Sequence, residues 1–194
     1  MNCFHFLLSA PLLVAPALHG QPVVTVTLYD IAGLPAETRQ AMKAEARRIL
    51  HQAGVRLEWV DCEIDRQPVN LQACAVPLGP GRFMLQLLPG QNRRNPRLSG
   101  TATVQKGSSI YASLYPERVR DLARDANWDF ADLLGHAAAH ELGHLLLDSA
   151  GHSNAGIMRA RWETEDLRRL SHNALIFLPG QLAGAKSRLV ASLR

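Results

Sequence analysis

His140-Glu141-Leu142-Gly143-His144 sets two imidazoles four residues apart, with a carboxylate directly after the first. In an α-helix, residues four apart stand one turn above each other on the same face, so both rings can aim nitrogens at one ion. Glu141 lies about 100° round the helix from His140. It can reach a water on that ion without being a ligand itself. A catalytic zinc needs this arrangement: neutral nitrogen donors, an open position for water, and a base beside it. The pKa of such a water falls to about 7, and Glu141 can accept its proton during attack on a carbonyl. The bland alternative is a histidine-rich helix with exposed rings. The apolar setting of Leu133, Leu134, Leu142, Leu145 and Leu146 weighs against it.

Two protein ligands are too few, and the residues offer three sources for another. His136 is also four residues from His140, but His136 and His144 are about 12 Å apart along a helix axis. Zinc–nitrogen bonds of about 2 Å cannot bring all three rings of an unbroken helix to one ion. His136 is therefore expected to support a ligand from behind or to line the cleft. His152 can serve if the chain leaves the helix and folds back. Asp148 and Ser149 favour that turn, and Gly151 permits unusual backbone angles just before the histidine. Glu163 and Glu165 are the third source, and Glu163, nineteen residues after His144, stands at a spacing that glutamate-ligated zinc hydrolases can use. Their alternative role is a solvated acidic start to the next helix, which the helix dipole favours.

The elements that must position these groups follow from periodicity and turn residues. Residues 22–30 are β-branched and predict a strand; 34–54 predict a helix with Met42, Ala46, Ile49 and Leu50 on one face. Residues 55–62 alternate and predict a second strand, and 82–90 a third. Residues 101–105 and 108–115 predict two more strands, joined as a hairpin at Lys106-Gly107. Pro116 opens a helix to about Ala126. Asp129 is the expected N-cap of the motif helix, which runs from Phe130 to about Leu147, with Asp132 in the place of a capping-box acid. A loop follows to about Trp162, then a helix over 163–178, a break at Pro179-Gly180, and a final amphipathic helix. This order predicts an α+β domain.

Composition sets the outer bounds. The chain has 194 residues, 47% of them hydrophobic, enough for one domain with its own core. A net charge of +4 with no basic tract gives no reason to expect nucleic acid. Residues 6–18 are almost wholly apolar yet too short to span a bilayer comfortably, and Ala15-Pro16-Ala17 fits a signal-peptidase site, as does a cut after Gly20. The first twenty residues hold no Lys or Arg. Residues 1–20 are thus expected to be a signal peptide that is removed, leaving 21–194 as a single exported domain without a membrane anchor. The first strand starts almost at once, so no pro-segment is expected. Loss of Cys3 leaves Cys62 and Cys74, twelve residues apart, as an expected disulfide in an oxidising compartment.

The stretch 140–158 resembles the metzincin zinc peptidases, and most closely their matrixin branch. The likeness lies in His-Glu-Leu-Gly-His, then the His152-Ser153 pair, then Gly156-Ile157-Met158. Two departures stand out. Seven residues separate His144 from His152 where the family has six or fewer, and Leu147 stands where it has Gly. The resemblance implies a zincin-like fold with a twisted mixed sheet of four to five strands, an active-site helix and C-terminal helices. It implies one zinc ion on His140, His144 and His152, Glu141 as base, and Met158 as an apolar floor beneath the metal. It further implies that the edge strand with Gly100, Thr101, Ala102 and Thr103 binds an extended peptide through its main chain. The segment 159–162 would then line the pocket for the residue after the scissile bond, with Arg159 and Arg161 favouring acidic or polar side chains there. The expected protein is a secreted, monomeric zinc endopeptidase acting on peptides or proteins. Its rivals are a zinc hydrolase of a non-protein amide, a glutamate-ligated zincin using Glu163, and a protein that keeps zinc only for structure. The base Glu141 has no purpose in the last of these.

Overall fold

The computed structural model describes residues 20–62, 71–93, 95, 99–105, 107, 110–169 and 175–191. Residues 1–19, within the expected signal peptide, therefore lie outside the described residues. Five strands form one sheet: β1 (Val23–Asp30), β2 (Arg56–Asp61), β3 (Arg82–Leu87), β4 (Gly100–Thr103) and β5 (Tyr111–Leu114). Their spatial order is β2-β1-β3-β5-β4. β1 pairs in parallel with both β2 and β3, and β3 with β5; β4 runs antiparallel to β5. The sheet is mixed and the domain α+β, as the sequence predicts.

β4 and β5 are antiparallel neighbours, but their connection is longer than the predicted two-residue turn. Register pairs Thr103 with Tyr111, so residues 104–110 lie between them. Each strand is correspondingly shorter. Asp148 Oδ2 accepts from the Gly107 backbone N–H at 2.8 Å, which ties this loop to the end of the motif helix.

Helix α1 (Ala36–Gln52) buries Met42, Ala46, Ile49 and Leu50, the predicted face. A short helix α2 (Leu71–Cys74), not expected from the sequence, brings Cys74 to Cys62 at the end of β2; the two form a disulfide with Cα atoms 5.8 Å apart. Beside it, buried Lys43 of α1 donates to Asp61 at 2.7 Å. Helix α3 (Pro116–Ala126) begins at proline, whose fixed φ suits the first turn. Helix α4 (Phe130–Leu147) begins at Asp129, whose side chain accepts from the Asp132 N–H at 2.9 Å.

Every residue of α4 from Leu133 to Leu146 is buried. A helix buried all round must be covered on every side. α1 covers one side, α3 another, and β3, β4 and β5 a third. The motif is therefore carried by the most enclosed element of the fold. Helix α5 (Thr164–Arg169) lies within the helix predicted over 163–178, but Leu175–Leu178 are not helical. Ile176 instead accepts a backbone bond from Ile157, which holds the loop after α4. Helix α6 (Ala183–Ala191) docks on the end of α4, where Arg188 donates to the Leu146 carbonyl at 2.7 Å.

Candidate metal centre

α4 ends at Asp148, which adopts a left-handed conformation at φ 52°. From the sequence, the permissive backbone position is expected at Gly151. The structure moves it to Asp148, since aspartate tolerates this region better than most residues and its carboxylate is held by Gly107. The reversal lets His152 fold back towards the helix. Its ring centroid lies 5.5 Å from that of His140 and 4.8 Å from that of His144. One ring nitrogen from each of the three histidines lies within 4.8 Å of the others.

Hydrogen bonds fix two of the rings. His140 Nδ1 lies 2.6 Å from the Ile157 carbonyl, and His144 Nδ1 lies 2.8 Å from the Ser149 carbonyl. A carbonyl can only accept, so both Nδ1 atoms carry hydrogen and both Nε2 atoms present lone pairs. Those Nε2 atoms are 3.1 Å apart. Two lone pairs so placed repel each other unless a cation lies between them. Nitrogens about 2 Å from a tetrahedral ion stand a little over 3 Å apart, so the donor set fits zinc. Orientation of ligand imidazoles by backbone carbonyls is the usual support for such a centre.

Burial favours the neutral form of His140 and His144. It pushes the His140 imidazole down to about 4, with the neighbouring His144 and His152 lowering it further against the bond to Ile157. Burial also lowers His144. The same burial raises the Glu141 carboxyl to about 8.

Three glycines make room for the centre. A β-carbon at Gly143 would stand 2.5 Å from Met158 Sδ and 2.9 Å from Phe177 Cε1. Met158 is buried and packs under α4 only because residue 143 has no side chain. Gly156 has φ +71°, and a β-carbon there would meet the Ile176 carbonyl at 2.6 Å; the tight turn before Ile157 and Met158 depends on it. At Gly100 a β-carbon would lie 2.6 Å from Glu141 Oε1. The edge strand thus presses its backbone against the carboxylate.

A cleft of about 550 Å³ opens beside His140 and Glu141, bounded by Gly100, Arg118, Arg159 and Trp162 among others. Of the residues assigned to substrate binding, Gly100, Arg159 and Arg161 line this cleft, while Thr101, Ala102 and Thr103 continue along the edge strand β4. Glu163 and Glu165 are exposed on the cleft wall and stand outside the histidine cluster. His136 is corrected. It is fully buried away from the cleft, 3.5 Å from Glu45 of α1 and edge-on to Trp128, because position 136 faces α1 rather than the sheet. Trp162, in the segment 159–162 expected to line the pocket, does line the cleft and also supports a histidine. Trp162 donates Nε1–H to the same Ile157 carbonyl that orients His140, at 3.2 Å, and its ring meets His140 edge-on. Arg118 reaches the cleft from α3, and nothing in its sequence neighbourhood signals that.

No protein-family model matches the chain, and no curated protein matches it. Solved structures do. Archaemetzincin from Methanopyrus kandleri superposes with a TM-score of 0.53 at 14% identity, covering 92% of this chain and 99% of that one. Metalloproteinase-II from Bacteroides fragilis gives 0.50 at 12% identity, covering 88% of this chain and 53% of that one. At these identities the likeness is one of fold: a mixed five-stranded sheet with helices, of the zincin type.

Proposed function

We propose that this chain is a zinc-dependent peptidase of the metzincin type, exported from the cell, with one zinc on His140, His144 and His152. The observation that carries this reading is the convergence of the three imidazoles, with the donor lone pairs of two of them fixed by backbone carbonyls. The fold shared with two metalloproteinases supports it. His152-Ser153 and the Gly156-Ile157-Met158 turn support the matrixin-like branch. The apolar residues 6–18 and the Cys62–Cys74 disulfide support export.

Zinc would supply Lewis acidity to a water molecule and to the scissile carbonyl. Glu141 takes the proton from the attacking water and passes it to the leaving amine. The positive charge of a metal on the imidazoles favours the ionised form of this carboxyl against its burial. The backbone of β4, at the sheet edge beside Glu141, aligns an extended peptide by strand addition. Trp162 and Ile157 hold His140 in place through one shared carbonyl. The test is digestion of casein and a peptide library by the mature chain, with chelation and zinc add-back. Cleavage that chelation stops and zinc restores is expected. A zinc-loaded protein that cleaves no peptide would contradict the reading and turn attention to non-protein amides.

A further inference from the structure

Resting on the peptidase reading above, we propose that Arg118 forms a carboxylate-binding subsite in the cleft, selecting substrates with an acidic group just beyond the scissile bond. Arg118 and Leu122 stand one turn apart on α3, and Ala137 and Glu141 one turn apart on α4; all four line the cleft. Glu141 delivers its proton to the leaving amine, so the residue carrying that nitrogen sits beside Glu141. In this proposal its side chain lies in the part of the cleft lined by Arg118 and Leu122 of α3 and Ala137 and Glu141 of α4.

The guanidinium is placed to meet an acceptor there. Arg118 Nε is shielded from solvent and has no protein acceptor among the described residues. Other arginines are matched: Arg39 to Asp30, Arg48 to Glu45, Arg124 to Asp121, Arg168 to the Asp125 carbonyl and Arg188 to the Leu146 carbonyl. A shielded donor without a partner is costly, and a guanidinium stays charged. Its planar fork matches the two oxygens of a carboxylate. Arg161 also lines the cleft, but it is exposed, and ion pairs in water discriminate weakly. Arg159 is half-buried and adds positive potential; the exposed Glu163 and Glu165 on the same lining oppose it. Arg118 is half-buried on the cleft lining, and because its Nε is closed even to water, an incoming carboxylate meets the two terminal nitrogens of the guanidinium.

The carboxylate can belong to an acidic side chain after the scissile bond or to a free C-terminus close to it. Fluorogenic peptide pairs with Glu or Gln at that position, each with a free or an amidated C-terminus, separate the two. We expect the carboxylate form to be favoured in kcat/KM by about 10- to 100-fold. Loss on Glu-to-Gln exchange assigns the side chain; loss on amidation assigns the terminus. Arg118→Met should bring the ratio near one, and Arg118→Lys should keep part of it and controls for folding. Cleavage without any such preference overturns the subsite while leaving the peptidase reading intact. A preference that survives Arg118→Met but vanishes in Arg161→Ala also overturns it. If no peptide is cleaved, calorimetric binding of the same pairs to the full-length protein decides. An Arg118-dependent preference for the carboxylate supports the subsite even as the peptidase reading fails; equal binding overturns it.

Discussion

Burial acts in opposite directions on neighbours His140 and Glu141. It strips a proton from one and keeps a proton on the other. In the metal-free protein His140 titrates near 4 instead of near 6.5, so the folded state binds fewer protons than the unfolded chain between those values. Stability from this group is full above about 6.5 and is lost as pH falls towards 4. Glu141, held near 8, acts in the opposite sense over the same window. The decline is therefore read in a metal-free Glu141→Gln variant: its urea midpoint should fall as pH drops from about 6.5 towards 4, and a midpoint that is flat or rises would contradict it. Glu141→Gln should keep zinc and the fold but lower kcat by about 10²- to 10⁴-fold, the usual worth of a general base. Full turnover in that variant would remove Glu141 from the chemistry. The histidines and Glu141 were legible because helical spacing alone puts them on adjoining faces. His136 was misplaced because spacing does not say which side of a buried helix faces the sheet. Arg118 was invisible because only the packing of α3 on α4 brings it to the cleft.

At the scale of elements, the centre depends on how closely β4 and the loop after α4 approach the motif helix. Gly143→Ala forces a β-carbon into Met158 and Phe177. Overpacking of this kind costs about 1–3 kcal/mol. A lowered thermal midpoint together with weaker zinc retention is expected; an unchanged midpoint would show that the Met158 loop gives way freely. Gly100→Ala meets the Glu141 carboxylate itself, in a short strand at the sheet edge. It should depress kcat/KM far more than stability, which paired kinetics and melting curves would read. The strands and α1, α3 and α4 were legible from alternation, caps and apolar faces. The helix expected over 163–178 does not extend to 175–178, where Ile176 instead holds Ile157 through a tertiary bond that local propensity does not encode. The bend that returns His152 was anticipated at Asp148 and Ser149, but the unusual backbone angle expected at Gly151 falls at Asp148 instead. Its position follows from where α4 ends and from the tie to Gly107.

Over the whole molecule, α4 is enclosed by α1, α3 and the sheet, so the metal centre is framed by rigid elements on one side and by the 149–162 loop on the other. The Cys62–Cys74 disulfide clips the far end of β2 and closes a twelve-residue separation. Replacing Cys74 with serine should cost about 3 kcal/mol by the loop-entropy relation, seen as a lower denaturant midpoint with zinc content unchanged; loss of zinc as well would mean the clip reaches the site. Among the described residues no helix is long and apolar enough to cross a membrane. The α+β class and the pairing of cysteines were readable from the chain, whereas the strand order required the long-range pairing of β1 with β3. The account stands or falls on three imidazoles sharing one ion. Metal analysis of the purified mature protein beside His152→Ala, with proteolysis assayed on the same samples, tests that most directly. One zinc per chain in the wild type, lost together with cleavage in His152→Ala, is the predicted result; zinc retained by His152→Ala would contradict the three-histidine centre.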